Sequence, residues 1–251
     1  MVRLINIAFL PVSPETMLAE DAILYWNGAE ALLEHGVVGR ASADGTVILE
    51  TERVPGYQFF VAGIQAIFGA SFHAVLFVQA ILDSLSCVLI ALIGAALPTA
   101  AAPRLAWVAG LLAAATPNLV IHAGMILGDC LFLFLFAAML AAGARFLRSG
   151  SGTWAALTGL ALGLAIVTRT LALPLPLLMV PIAVIAPLMN RRRVTPAIGI
   201  TILFLSISLA PAAFWAQRNF VEFGAITLSS QNGTHLANWV APLVRRAHDG
   251  T

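Results

Sequence analysis

Five apolar runs, at 72–97, 105–125, 127–147, 154–189 and 196–216, set the terms on which this chain can fold. A helix needs about 20 apolar residues to cross the hydrocarbon core of a bilayer, where backbone polar groups can bond only to one another. The run at 154–189 is too long for one helix and carries Arg169 near its middle, so it divides into 154–168 and 171–189 around Thr168-Arg169-Thr170. The other four runs match one crossing each. The expectation is an all-α, polytopic membrane helix bundle of six spans. Residues 4–12 (LINIAFLPV) read as the tail of a first span, giving seven; one Arg precedes them, but no small-residue cleavage site of a signal peptide follows. Charged residues make up 10% of the chain, against roughly 25% in soluble domains.

Details within the runs bear on packing. Gly159 and Gly163 have the spacing that lets two helices approach closely, and Pro174, Pro176, Pro181 and Pro187 should kink the span at 171–189. Cys87 and Cys130 fall inside apolar runs and read as small hydrophobes. Asp83 lies mid-span in VQAILDSLS and is expected to pair with a serine or with His73.

The contrasting stretch is 13–56. It holds Glu15, Glu20, Asp21, Glu30, Glu34, Asp44, Glu50 and Glu52, eight of the twelve acidic residues. From Asp21 to His35 it is helix-like, with Gly36 as terminator, and Ile23, Trp26, Leu32 and Leu33 offer an apolar side. Such a helix would lie in the interface with Tyr25 and Trp26 at headgroup level. Residues 37–51 alternate weakly around the turn signal Asp44-Gly45. After Pro55-Gly56, residues 57–69 are too short to span and read as a second interfacial or re-entrant helix.

Charge placement orients the bundle. Arg104, the pair Arg145 and Arg148, and the trio Arg191, Arg192 and Arg193 all fall on the side opposite the acidic stretch when spans are counted from it. By the positive-inside rule that side is cytoplasmic. The chain then reads as one transmembrane domain over 1–251 in the inner (plasma) membrane, with 13–56 as an outer, periplasmic catalytic loop and no complete C-terminal soluble domain. The 117–129 turn, the Arg169 turn and the tail from Arg218 share its outer face.

The ionisable candidates on that face are Asp21, Arg53, Asp129, Arg169 and Arg218. Each has a structural alternative. Asp21 and Asp129 suit helix N-termini, where the dipole favours a carboxylate, and Glu20 suits either of Asp21's roles. Arg169 and Arg218 suit interfacial anchors, and Arg53 suits a solvated charge. The functional alternative is phosphate binding, since the planar guanidinium matches phosphate oxygens. No Walker-type loop, GxSxG, metal-ligand cluster or basic nucleic-acid stripe occurs. A lipid-linked phosphate substrate, with no metal, cofactor or nucleic acid, fits what remains.

The order of segments resembles the GT-C superfamily of membrane glycosyltransferases, in particular protein O-mannosyltransferases (glycosyltransferase family 39-like) and lipid A aminoarabinose transferases. EDAILYWNGAEALLEHG is similar to their first outer loop, and ERVPGYQFFVAGIQAIFG to the stretch closing it. LGDCLFLFLFAAMLAA resembles a helix opened by an acid, often Glu where this chain has Asp129. GLALGLAIVTRTLALPLPLL resembles a Gly-rich helix ending in Thr-Arg, and PAAFWAQRNFVEFGAITLSSQNGTHLANW the Arg-Asn…Phe-Gly…Ser…Asn-Gly run. The matches cover about 19–240; members usually run longer, so a partial chain is one expectation.

The resemblance implies inverting transfer of a hexosyl or pentosyl group from a polyprenyl-phosphate donor to a lipid, glycan or protein hydroxyl. It makes Asp21 the base. Glu20, Tyr25, Tyr57, Asp129 and Asn232 are expected around the substrates; charge and side put Arg218 and Arg53 foremost on the phosphate, with Arg169 behind them. The alternatives are a non-catalytic polyprenyl-phosphate-binding or transport protein, or an inactive fragment.

Overall fold

The polar stretch folds onto one end of a helix bundle and shares a core with it. The computed structural model describes residues 2–18, 21–42 and 46–249. Two short helices, α1 (Val2–Phe9) and α2 (Pro14–Met17), lead into α3 (Asp21–His35). Helix α3 ends where the sequence predicts, at Gly36, whose φ of 71° lies in the left-handed region that glycine enters without strain. An antiparallel hairpin follows, β1 (Gly39–Ala41) with β2 (Val47–Leu49), Arg40 opposite Ile48. The Asp44-Gly45 turn lies outside the described residues. Then α4 (Gly56–Phe68) stops at Gly69, φ 75°.

One expectation about α3 is corrected. Trp26 does not sit among headgroups: it is 4% exposed, packs against Phe72 with ring centroids 4.2 Å apart, and donates to Glu30. Ile23 and Leu33, expected on the same apolar side, are the exposed ones. Ala22, Trp26 and Ala29 instead form a face buried against other helices. A Cβ at Gly28 would meet Gln58 Nε2 at 2.6 Å, so α3 and α4 touch nearly backbone to side chain. Protein packing claims the face that lipid would otherwise cover.

The apolar runs become α5 (Phe72–Ala95), α6 (Ala102–Ala115), α7 (Pro117–Ala123), α8 (Asp129–Ser149) and α9 (Gly152–Thr168). A 3-10 turn at Thr170–Ala172 precedes α10 (Leu175–Leu178), α11 (Val180–Met189) and α12 (Val194–Phe223). The chain continues through α13 (Gln231–His235), a π turn at Leu236–Val240 and α14 (Ala241–Asp249). Helices α5, α8 and α12 are each long and apolar enough to cross a membrane. Helix α6 with α7, and the 170–178 segment with α11, are apolar pairs bent by 55° and 42°, which makes five crossings if each pair is one span. The 17-residue α9 is a shorter apolar helix, so the multi-pass bundle is as expected and the sixth span falls short in length. The 154–189 run divides at Arg169, which is extended with φ −146°. The break at Thr116-Pro117 was not expected; Pro117 has no N–H to continue the helix.

The GxxxG spacing acts as read. A Cβ at Gly159 would lie 2.9 Å from the Phe204 carbonyl oxygen, and one at Gly163 2.9 Å from that of Ser208, so α9 lies directly on the backbone of α12. At the bundle's far end Arg148 bonds the Ala96 carbonyl and Asn190 donates to Leu147 O at 3.0 Å, which gathers the arginine-bearing turns together.

Asp83 pairs with neither serine nor His73. Its partner is Arg3 of α1, and the two are 1% and 5% exposed. Arg3 also donates to the carbonyls of Ala114 (3.1 Å) and Ala113 (3.4 Å) and contacts Cys87 Sγ at 3.2 Å. Ala114 and Ala113 end α6 just before the proline break, where carbonyls lose their helical donors. One arginine thus neutralises a buried acid and caps a broken helix. Arg3→Leu strands the Asp83 charge and is expected to destabilise by about 3–5 kcal/mol. Arg3→Leu with Asp83→Leu should recover much of that, because no lone charge remains. Thermal unfolding in detergent reads both.

Candidate active site

Three close approaches bring the candidate residues to one end of the bundle. Gly56 lies on the end of α9, where a Cβ would meet Val167 O at 2.5 Å. Gly128 packs beside Thr168 and Tyr57, with 3.6 Å from its would-be Cβ to each, and so sets Asp129 at the same end. The 227–231 segment is tied across the gap between α12 and residues 50–53. Ser229 Oγ donates to Glu52 O (2.5 Å), Ser230 N to Thr51 O (2.7 Å), Trp215 Nε1 to Leu228 O (3.1 Å) and Asn219 Nδ2 to Thr227 O (2.7 Å). Glu50 Oε1 accepts from the backbone N–H groups of Glu52 and Arg53, which fixes the turn presenting Arg53.

Between these elements lies a polar cavity of about 210 Å³ lined by Asp21, Tyr25, Arg53, Thr168, Arg169, Thr170, Ser229 and Gln231, with Val54 and Leu171. Arg53 Nη2 donates to Asp21 Oδ1 at 2.5 Å. The pair is unequal: the Arg53 side chain is 12% exposed and that of Asp21 46%. Oδ2 of Asp21 has no partner among the described residues, nor has the buried Nε of Arg53. Across the cavity Arg169 Nη2 donates to Asp129 Oδ2 at 2.6 Å, with Arg169 45% exposed. Burial pushes the Tyr25 hydroxyl's pKa up, a shift that Arg53 partly offsets, so Tyr25 stays neutral and able to donate.

Two larger, more apolar cavities adjoin. One of about 580 Å³ shares Thr170 and Ser229 with the polar cavity and runs along α12 past Leu209, Ala212, Ala213 and Ala216. The other, about 350 Å³, has Asp21 in its wall with Thr16, Met17, Ala22 and residues 124–127. Asp21 therefore stands between a cationic cavity and an apolar one.

Asp21, Tyr25, Arg53 and Arg169 thus converge, while Tyr57 and Asp129 stand just behind them. Tyr57 is fully buried beneath Tyr25, rings edge to face with centroids 4.9 Å apart. Arg218 is not brought to this cavity. It donates to Glu50 O (3.0 Å), Asn219 Oδ1 (2.9 Å) and Val38 O (3.4 Å) and stacks on Trp215 and Phe223, holding the hairpin region to α12. Asn232 lies in α13, beside Gln231 of the cavity wall. Glu20 falls outside the described residues. Thr168 and Ser229 line the cavity yet were not singled out, although both sit in quoted segments, next to Arg169 and within the Ser-Ser-Gln-Asn-Gly run. Among the described residues no cluster of three or more His, Cys, Asp or Glu side chains is placed to hold a metal ion.

Comparison with known proteins gives a family. Searches of curated proteins and of solved structures return no match. The profile of the dolichyl-phosphate-mannose-protein mannosyltransferase family matches residues 52–215, which include Arg53, Tyr57, Asp129 and Arg169 and begin after Asp21. That match spans most of the chain and agrees with a helical membrane bundle. The chain belongs to the dolichyl-phosphate-mannose-protein mannosyltransferase family, and is a membrane glycosyltransferase of the GT-C type.

Proposed function

We propose that the chain transfers a sugar, with inversion, from a polyprenyl-phosphate donor to an acceptor hydroxyl, with Asp21 as general base. The observation that carries this reading is the 210 Å³ cavity where Asp21 meets Arg53 and Arg169. The acceptor oxygen attacks the anomeric carbon as the bond to the phosphate oxygen breaks. The electron pair of that bond leaves on the phosphate, and the acceptor proton passes to the open Oδ2 of Asp21. Arg53, with a buried Nε still to be satisfied, and Arg169 face the charge that develops on the leaving group; fixed cations in a desolvated site stabilise such charge strongly. The 580 Å³ apolar cavity alongside suits the first units of a polyprenyl chain. The smaller apolar cavity, across Asp21 from the arginines, suits the acceptor's approach.

Tyr25 and Tyr57 form the wall beneath the substrates, Asp129 orients Arg169, and Arg218 acts at one remove by fixing the loop that presents Arg53. The arginine-bearing turns at the opposite end of the bundle support an outward-facing site in the plasma membrane. Incubation of the purified protein with polyprenyl-phosphate mannose labelled in the sugar, together with lipid, glycan and peptide hydroxyl acceptors, tests the reading. Release of polyprenyl phosphate with label in an inverted glycoside is expected. Tight binding without turnover would instead favour a lipid-binding or transport role.

A further inference from the structure

Gln79 is a fully buried polar residue of the bundle without an assigned role. It sits in the second turn of α5, is 0% exposed, and is an uncharged amide in a mostly apolar span that also carries the buried Asp83. Its Nε2 donates to Met125 O (2.8 Å) and Ala123 O (3.3 Å), and its Oε1 accepts from Tyr57 Oη at 2.5 Å. Its own carbonyl accepts from Cys130 Sγ at 3.2 Å. Chemistry allows one arrangement. Carbonyls only accept, so the amide nitrogen must face 123 and 125, the amide oxygen must face Tyr57, and the tyrosine must donate.

What these bonds join gives the residue its interest. Helix α7 ends at Ala123 and α8 begins at Asp129, so 124–128 is unwound backbone at the end of a span, where unmet carbonyls are costly. That segment lines the acceptor-side cavity with Asp21, and the next residue, Asp129, holds Arg169. On the other arm, Tyr57 supports Tyr25, which shares the polar cavity with Asp21. A single amide therefore fixes both walls between which the Asp21 carboxylate stands.

We propose that Gln79 is a positioning residue for glycosyl transfer, setting the separation of the Tyr25–Tyr57 wall from the 123–129 wall. The proposal rests on the function assigned above. An offset of about 1 Å in a reacting geometry can cost about 10²-fold in rate. Gln79→Leu keeps the volume and removes the three side-chain bonds. Its kcat should fall by about that factor, while the KM for polyprenyl-phosphate mannose changes less, because Arg53, the better buried of the two cations, is anchored elsewhere. Tyr57→Phe cuts only one arm and leaves both carbonyls bonded, so it reports on the link even if Gln79→Leu folds poorly. Its kcat should fall less. The double variant should match Gln79→Leu alone, as expected of residues acting through one contact.

Amide hydrogen exchange supplies a readout free of turnover. Gln79→Leu should speed exchange at 121–129 and also at 21–26, and Tyr57→Phe at 21–26. Wild-type kcat in both variants, or faster exchange confined to 121–129 in both, would overturn the coupling. Failure of the wild-type chain to turn over donor would instead remove the glycosyl-transfer reading, while the exchange data still decide whether Gln79 ties the two walls.

Discussion

Asp21→Asn is expected to slow sugar transfer by about 10²–10⁴-fold, the range over which a positioned base acts. Asparagine has nearly the volume of aspartate, and its amide oxygen can still accept from Arg53. The fold, membrane insertion and donor affinity should persist. What disappears is the group that takes a proton. The loss should therefore appear in kcat, with the donor KM little changed, the pattern of an interaction made only in the transition state. The measurement is release of polyprenyl phosphate per folded molecule, with folding checked by gel filtration in detergent. Glu20→Gln is the matching control, since Glu20 adjoins Asp21 in sequence. Full activity in Asp21→Asn, or loss confined to Glu20→Gln, would take Asp21 out of the mechanism.

Several parts of this architecture were legible because local chemistry determines them. Gly36 ends its helix at positive φ, and 154–189 could not be one helix around Arg169. Both follow from backbone stereochemistry or bilayer thickness and need no tertiary information. The place of Asp21 in the wall of the polar cavity is a structural observation, whereas its choice as base came from an ordered series of family-like segments.

The residues that escaped are those whose partners lie far away in sequence. Arg3 reaches Asp83 and the broken end of α6 across 80 and 111 positions. Gln79 looks like a stray amide until Tyr57 and the 123–125 carbonyls are placed around it. Arg218 has the composition of a phosphate ligand, but the carbonyls of Val38 and Glu50 take up its donors. A guanidinium at a membrane boundary meets the same need with a carbonyl or a phosphate. Only the fold tells which. The same logic displaced Trp26 from the interface: its apolar face met Phe72 before it could meet lipid.

That distinction among the arginines can be put to a direct test. Arg53→Met is expected to reduce kcat/KM by about 10²–10³-fold, the usual effect of deleting one donor to a developing anion. Arg53 is the better buried of the two cations in the cavity, 12% exposed against 45% for Arg169. A charge shielded from water acts with less screening. Arg169→Met should consequently cost less, roughly tenfold, and more of its effect should vanish at high salt. Arg218→Met should act differently again, lowering thermal stability through the hairpin contacts and weakening polyprenyl phosphate binding less than Arg53→Met does, because it reaches the phosphate only through the loop that presents Arg53. Arg53→Lys restores the charge without the planar fork, so it should recover only part of the lost rate. Removing Arg53 leaves Asp21 unpaired, but its carboxylate is 46% exposed and water can solvate it, so the variant should fold. Titration of each variant with polyprenyl phosphate, the released product, isolates the phosphate contact from the base. Wild-type affinity in Arg53→Met would move the phosphate away from Arg53, and the cavity would then have to be read around Arg169 alone.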